Sequence, residues 1–432
     1  MSNRVLVLMV GTNPLPNYVV GSYLKKNYDK FVLIYSEKNE NINQSSTADY
    51  ADKLKEHLNL DNCTLLPLSN VSNPSAIRDD LKEKFPKDNI DEVHLNYTGG
   101  TKTMAVHVYN FLKEDFAKKF AKKFNASYLD ARSHKLIYDN GERSGSLKGE
   151  IKIDIDTLLS IHLYKKNKLE TNDTYTYKQK FGANFDSISE KIKNAIKDGK
   201  GKDFVKWLEN PFRKIFKGNN KLLEQTKKFE EHIQKLNGID QSLIDRFNES
   251  PQFIWDILNA FPEDKRIVKN NRFPDRIEDV ENIRYTVKFL DGIWLEWYVY
   301  NEIRSKLQEK GLQEGKHFGI SLEAKKENSS KSPNFELDIF IINGYQLVGI
   351  SITTSDKQGD CKLKGFEVIH RVRQIGGDES KAILITGMEP YKKDALQEDL
   401  SFMTGTANDK IVVFGVDDWA DIGDKICGEV FQ

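Results

Sequence analysis

The first 165 residues of this chain alternate short, almost wholly apolar runs with helix-length amphipathic stretches, and that pattern constrains the fold most. The runs are VLVLMV from Val5, FVLIY from Phe31, TLLPL from Thr64 and EVHLNY from Glu92. A strand that is apolar on both faces must be covered on both faces, as happens in a parallel sheet with helices on either side. SYLDA from Ser127, KLIYD from Lys135 and EIKIDI from Glu150 read as further strands that extend the sheet by antiparallel pairing.

At 432 residues the chain is too long for one ordinary core, so two or three domains are expected. The first, residues 1–165, reads as a Rossmann-like α/β domain. Residues 166–285 turn polar, lysine-rich and helical, with pieces such as SISEKIKNAI and LLEQTKKFEEHIQKL. This segment is either a solvated helical connector or a basic surface lying along a substrate. Residues 286–432 return to an α/β alternation. They begin with a helix on which Trp294, Leu295, Tyr298 and Ile303 share an apolar face, followed by the strands ELDIFII, QLVGISI, KAILIT and KIVVFGV. Charge is balanced at 65 basic and 65 acidic residues, so any nucleic-acid surface has to be local. The cysteines Cys63, Cys361 and Cys427 lack zinc or disulfide spacing, and the run Val5–Val10 is too short for a signal segment. With no stretch approaching a membrane span, a soluble, cytoplasmic protein is expected.

Two loops in the first domain carry ligand chemistry. In an open α/β sheet, ligands gather beyond the carboxyl ends of the strands, where loops enter helices. GTNPLPNY, Gly11–Tyr18, follows the first strand, and YTGGTKTMA, Tyr97–Ala105, follows the fourth. Thr98, Gly99, Gly100 and Thr101 offer backbone N–H groups and hydroxyls to an anion, and Lys102 adds a charge at the next helix mouth. The alternative is that Gly-Gly only closes a tight turn. Neither loop is a P-loop or a complete dinucleotide fingerprint.

The pair GTNP and NYTGGTKTMA resembles the CARF family, the CRISPR-associated Rossmann-fold sensors, over roughly residues 1–165, with Ser36 in LIYSEK at a position where that family often has a small polar residue. The resemblance implies a homodimer whose two CARF domains share one two-fold pocket for a cyclic oligoadenylate, with cyclic tetra-adenylate the expected ring. By position, Gly11, Thr12, Asn13 and Ser36 and the loop Thr98, Gly99, Gly100, Thr101 and Lys102 would line it. A ring with an even number of identical units can present the same face to each subunit.

In the C-terminal domain, Asn343-Gly344 is a strong hairpin signal, and a type I′ turn there would pair Asp338 with Gly349 and Glu336 with Ser351. Alternation then places Glu336, Asp338, Ser351 and Thr353 on one face and Leu337, Ile339, Val348, Ile350 and Ile352 on the other. This hairpin, preceded by the helix bearing GIWLEWYVY, resembles the PD-(D/E)xK nuclease superfamily, and more closely its CARF-fused members. The resemblance implies Glu296 from the helix and Asp338 from the hairpin as ligands of Mg²⁺ or Mn²⁺; Glu336 is either a third acid of the metal site or a salt-bridged neighbour. The resemblance also implies an E-x-K pair on the next strand, where the lysine orients water and offsets developing charge. Here those positions read Ser351-Ile352-Thr353.

A helix beginning near Cys361 offers replacements. Lys364, Glu367, Arg371 and Gln374 fall on one polar stripe, and Leu363, Phe366, Ile369 and Val372 on a buried one. Either Glu367 returns the carboxylate and Lys364 or Lys362 the cation, or the stripe is a solvated face with an internal Lys364–Glu367 pair; Arg371, Arg373 and Gln374 would alternatively suit substrate phosphates. The expectation is a cyclic-oligoadenylate-activated, metal-dependent endonuclease acting on DNA or RNA. The alternatives are an inactive sensor or nucleic-acid-binding effector with a degenerate nuclease fold, or an enzyme that degrades the cyclic signal. A HEPN ribonuclease does not fit, because the C-terminal half lacks an R-x4–6-H motif.

Overall fold

The computed structural model describes residues 3–120, 122–216, 231, 240–274, 280–327, 335–405 and 407–432. Two mixed sheets organise the chain. The first has seven strands in the order β3-β2-β1-β4-β5-β6-β7: β1 Arg4–Met9, β2 Lys30–Ser36, β3 Cys63–Leu68, β4 Glu92–Asn96, β5 Lys123–Asp130, β6 Lys135–Tyr138 and β7 Arg143–Ser146. β3 through β5 run parallel, and β6 and β7 are antiparallel additions. The apolar runs form the four expected strands, with Val5 to Met9 buried throughout.

Two strand expectations differ. SYLDA belongs to β5, which pairs parallel with β4 and not antiparallel. EIKIDI forms no strand: Asp154 accepts a hydrogen bond from Thr157 N at 2.8 Å and so caps the helix Ile155–Ile161. An aspartate whose side chain satisfies an orphan N–H starts a helix more readily than it continues a ladder.

The second sheet has six strands in the order β13-β12-β11-β10-β9-β8: β8 Tyr164–Glu170, β9 Phe318–Lys326, β10 Phe335–Asn343, β11 Gln346–Ile352, β12 Lys381–Ile385 and β13 Ile411–Phe414. β8 through β11 are antiparallel neighbours, and β11, β12 and β13 run parallel. One face, with Ile339, Ile341, Val348 and Ile350, packs on the helix Trp294–Glu309 and on residues of the helical segment, among them Phe185, Ile192, Phe204 and Trp255. Past β8 that segment is mainly helical where described and builds about half of this core, so its apolar side is buried. The piece LLEQTKKFEEHIQKL lies outside the described residues, apart from Glu231.

The other face packs on the helix Gln358–Gly376. Here a single apolar cluster continues from Phe340, Ile342 and Leu347 through Leu158 and Leu159 of the Ile155–Ile161 helix to Leu6 and Leu8 of the first sheet. The β10–β11 hairpin reaches across this junction. Its tip is the pair Gly344-Tyr345, since Asn343 pairs with Gln346, one residue later than Asn343-Gly344 would place it. Gly344 has φ +64, and a Cβ there would sit 1.7 Å from the Lys148 carbonyl oxygen, so only glycine fits. Ile153 N donates to Gly344 O at 3.0 Å, and the Tyr345 hydroxyl lies 3.1 Å from His134 Nδ1. Among the described residues no helix is long and apolar enough to cross a membrane.

Candidate functional site

The corrected hairpin tip moves every cross-strand pair. Ile339 pairs with Ile350, so Asp338 lies opposite Ser351 and not opposite Gly349. Regular pairing stops there. Ser351 Oγ donates to Asp338 Oδ2 at 3.1 Å, and Ile352 N donates to the same oxygen at 2.7 Å, so the carboxylate replaces a ladder partner at the fork between β10 and β11. On β9, Ser321 has φ 55 and interrupts the β9–β10 register at Asp338. The faces switch at this point. Leu337 packs with Phe340 against the Gln358–Gly376 side, 3.0 Å from where a Gly349 Cβ would stand, whereas Ile339 joins the opposite core. The expected grouping of Leu337 with Ile339 therefore fails, because the β9–β10 ladder is interrupted at Asp338, opposite the αL residue Ser321 of β9, and the two-residue alternation shifts there.

Helices on both sides of the sheet reach this fork. Glu296 comes from the first turn of Trp294–Glu309, and Lys364 and Glu367 come from Gln358–Gly376. Glu296, Ile352, Thr353, Lys364 and Glu367 line one cleft of about 920 Å³. Burial and the Asp338 charge push the Glu296 carboxyl well above its usual range, while Lys364 and Lys168 act the other way. Asp338 is likewise pushed up by burial, against the pull of Lys364 and of its two hydrogen-bond donors. Burial works against the Lys364 charge, but Asp338, Glu367, Glu296 and Glu336 outweigh it and hold the ammonium above its ordinary value. Lys364 and Glu367 are 3.7 Å apart on successive turns. The group is therefore two repelling acids that share one cation.

Two expected members stand elsewhere. Lys362 binds Asp399 at 3.1 Å on the neighbouring helix Pro390–Thr404 and does not line the cleft. Glu336 is exposed and paired in register with Glu323, and among the described residues no three His, Cys, Asp or Glu side chains converge on a cation position. Glu296 and Asp338 thus form a two-carboxylate set, with Asp338 Oδ1 clear of the two bonds that fill Oδ2. Leu363, expected in the buried stripe, is 69% exposed at the cleft. The helix starts at Gln358 and buries Cys361, Gly365, Val368, Ile369 and Val372 instead, because a Cβ at Gly365 would already touch Leu400 at 2.5 Å. Of the suggested phosphate holders, Arg373 donates to Thr404 O at 3.3 Å, Gln374 donates to the Tyr164 hydroxyl, and Arg371 lies 6.0 Å over the Phe335 ring.

The residue that sequence reasoning missed is Arg213. Its guanidinium donates to Asp291 Oδ1 at 2.7 Å, to Glu209 and the Asp291 carbonyl, and to Thr354 Oγ1 just past β11. The helical segment thereby supplies a wall of the cleft. Only the (i, i+4) pair Glu209–Arg213 was visible in the sequence as a signal.

In the first domain the two loops converge. A Cβ at Gly11 would sit 3.1 Å from Gly100 N, and one at Gly99 would sit 2.1 Å from Met9 O and 2.8 Å from Asn17 Oδ1. Asn17 Nδ2 donates to that same Met9 carbonyl at 3.0 Å, so Gly99 is required for close approach and Gly100, at φ +74, for the turn itself. Thr101 Oγ1 accepts from Met104 N at 3.2 Å and caps the helix that begins at Lys102. Thr12, Gly100, Thr101 and Lys102 are exposed at the mouth.

The remaining loop residues are engaged within the fold. Thr98 Oγ1 accepts from Leu129 N at 2.7 Å. Ser36 is buried, with its hydroxyl donating to Ser45 O at 2.8 Å. Asn13 Oδ1 accepts from Leu15 N at 3.2 Å and lies 3.2 Å from His162 Nε2, and its amide nitrogen meets the position a Gly377 Cβ would take. Ser45 and Ser46, which share a cavity of about 490 Å³ with Thr12, Tyr50 and Lys53, were not anticipated.

Residues 5–138 match the family model of the Card1 CARF domain. The chain is similar in structure to protein VC1899 from Vibrio cholerae, with a TM-score of 0.58 and 15% identity over 98% of this chain and 97% of that one. It is also similar to Can2 from Sulfobacillus thermosulfidooxidans, whose structure is a complex with cyclic tetra-adenylate, with a TM-score of 0.55 and 14% identity over 99% of both chains. At these identities the likeness is one of fold. No curated protein matches the chain in sequence.

Proposed function

We propose that this chain, a Card1-type CARF domain joined to a second α/β domain of the fold shared with Can2, is a type III CRISPR ancillary effector. In this reading it is a homodimer that binds a cyclic oligoadenylate, cyclic tetra-adenylate by the likeness to the Can2 complex, across the loops Gly11–Thr12 and Gly99–Lys102. Binding switches on endonucleolytic cleavage of DNA or RNA. The observation that carries the catalytic part is the meeting of Glu296, Asp338 and Lys364 at the fork of β10 and β11, reached from helices on opposite faces of one sheet.

Glu296 and Asp338 would hold Mg²⁺ or Mn²⁺, which when bound supplies charge stabilisation and a more acidic water beside the scissile phosphate. Lys364 sets the charge of both acids and stands where negative charge develops. Glu367 holds Lys364 in place from the next turn, and Ser351 orients Asp338 by its hydrogen bond. In this reading the E-x-K pair absent from β11 is replaced by Lys364 and Glu367 on the following helix.

The test is cleavage of supercoiled plasmid and of end-labelled RNA by the full-length protein, with and without cyclic tetra-adenylate, in Mg²⁺ or Mn²⁺. Ligand-dependent cleavage that is lost in Asp338→Ala supports the reading. Ser351 and Thr353 at the E-x-K positions favour the second reading, a sensor without nuclease chemistry. Absence of cleavage under every combination, with the ring still bound and intact, would select it, and loss of the ring itself would select a signal-degrading enzyme.

A further inference from the structure

The loop after β1 faces two ways at adjacent residues. Thr12 is exposed, on the cavity it shares with Ser45, Ser46 and Lys53. Asn13 turns inward and meets the second domain. Gly377, at φ +62, caps the helix Gln358–Gly376, and a Cβ on it would sit 2.2 Å from Asn13 Nδ2 and 2.9 Å from Glu379 Oε2. The Asn13 amide therefore lies against the end of the helix whose first half carries Lys364 and Glu367 into the cleft.

From Lys364 to Gly376 that helix runs unbroken for about 18 Å, at a rise of about 1.5 Å per residue. Its seat is close throughout. A Cβ at Gly365 would come within 2.5 Å of Leu400, one at Gly349 within 2.3 Å of Val372, and one at Gly376 within 3.0 Å of Leu347. A helix packed this tightly shifts as one body, so a displacement at Gly377 reaches Lys364.

The amide also cannot satisfy all its neighbours. Asn13 Oδ1 accepts from Leu15 N at 3.2 Å and lies 3.2 Å from His162 Nε2, while His162 Nδ1 lies 2.8 Å from Leu158 O. His162 is 2% exposed, and burial holds the imidazole neutral by lowering it to about 4. A neutral imidazole donates through one nitrogen and accepts through the other. If Nδ1 donates to Leu158 O, Nε2 needs the amide nitrogen, and turning the amide to supply it takes the acceptor from Leu15 N. If Nε2 donates to Asn13, Nδ1 faces Leu158 O with two lone pairs opposed. Of the three contacts each setting makes two, so the amide is a two-state element of the kind that coupling between sites requires.

We propose that Asn13 is a positioning residue that passes occupancy of the ring-binding loops to the helix Gln358–Gly376 and through it to Lys364 and Glu367. The proposal rests on the reading of Gly11–Thr12 as part of the ring site. A ring that draws on Thr12 moves the next residue, and the amide changes its setting against His162 and Gly377.

The test carries a readout that needs no cleavage. Amide hydrogen exchange across Gln358–Gly376 is followed in the full-length protein, without metal, with and without cyclic tetra-adenylate, beside ring affinity by calorimetry and Mn²⁺-dependent plasmid cleavage. In the parent the ring should change exchange along this helix. In Asn13→Ser, which keeps an oxygen near Leu15 N and is too short to reach Gly377, that change should vanish and ring stimulation of cleavage should fall by about 5- to 150-fold. Ring affinity should hold or tighten, because binding no longer has to move the helix, whereas loss of a ligand contact would weaken it. His162→Leu, which leaves the amide to Leu15 N, should uncouple in the same way and decides the question if Asn13→Ser does not fold. A parent-like exchange response in the folded variants, weaker ring binding in Asn13→Ser with the full response restored at saturation, or a parent whose helix ignores bound ring overturns the proposal and leaves the ring site standing. A parent that binds no ring overturns both.

Discussion

Replacement of Lys364 by methionine is the sharpest test of the cleft. The ammonium bears on Glu296 and on Asp338 together, in each case holding down a carboxyl that burial pushes up. Methionine keeps the length of the side chain and removes the charge. Loss of a preorganised charge-stabilising group at a reacting phosphate costs about 2.7–4 kcal/mol, so kcat should fall about 10²- to 10³-fold. A second effect follows from the acids. Without Lys364 both carboxyls rise further, fewer are ionised at a given pH, and metal binding, which needs them ionised, should move to higher pH.

The change in stability has its own sign. The Lys364 charge is held above its ordinary 10.5 in the folded chain, so its contribution is fully present below that value and is lost only as pH climbs through the raised one. The titration of Lys364 itself therefore adds no pH dependence to the stability lost in Lys364→Met below 10.5, and a slope there reports the titration of Glu296 and Asp338. The assay is single-turnover cleavage against pH at several Mn²⁺ concentrations, with Lys362→Met as the control, since that lysine binds Asp399. Parent-like cleavage in Lys364→Met, or an equal loss in Lys362→Met, would refute the assignment.

Ser351→Ala removes one of two donors to Asp338 Oδ2 and should cost about 0.5–1.5 kcal/mol in cleavage, read as a rate ratio, whereas Thr353→Ala should cost less. Gly344→Ala forces a Cβ into the Lys148 carbonyl at φ +64 and should destabilise the chain by about 2–5 kcal/mol in urea titration. Burial pushes Glu379 up to about 7 from 4.5, so its penalty is absent below the lower value, grows between the two and is complete above the higher. Glu379→Gln should accordingly raise stability by up to about 3 kcal/mol at pH 8 and leave it unchanged near pH 4, as thermal melts at the two pH values would show. Arg213→Ala releases the bond to Thr354 and should lower both the melting temperature and the cleavage rate.

The strands that sequence made legible are those buried on two faces, because only they lose their polar residues. β8, YKKNKLE, is an edge strand whose lysines keep the sheet from pairing further, and those lysines hid it among the helical residues. β9 escaped notice because Ser321 breaks its alternation. The hairpin was legible and its register was not, since what fixes the turn is contact of Gly344 with the backbone of Lys148, far away in sequence. At the cleft, Glu296, Asp338, Lys364 and Glu367 each sit on an element with a readable period, so their meeting could be inferred. Arg213 could not, because its partners Asp291 and Thr354 lie 78 and 141 residues away.

The apolar cluster that runs from Leu6 through the Ile155–Ile161 helix to Phe340 has a consequence for how such a chain can be taken apart. Each half uses the other as the cover of one sheet face, so neither buries its own hydrophobic surface alone. Cutting the gene near residue 165 would leave Leu158, Leu159 and Ile161 facing water on one fragment, and Phe340, Ile342 and Leu347 on the other. Both fragments should aggregate, and the intact chain should melt in one cooperative transition and not in two. The same cover limits recombination: a new second domain can be grafted onto this first domain only if it brings a matching apolar face, so domain exchange in evolution has to move the junction helix along with the sheet it seals.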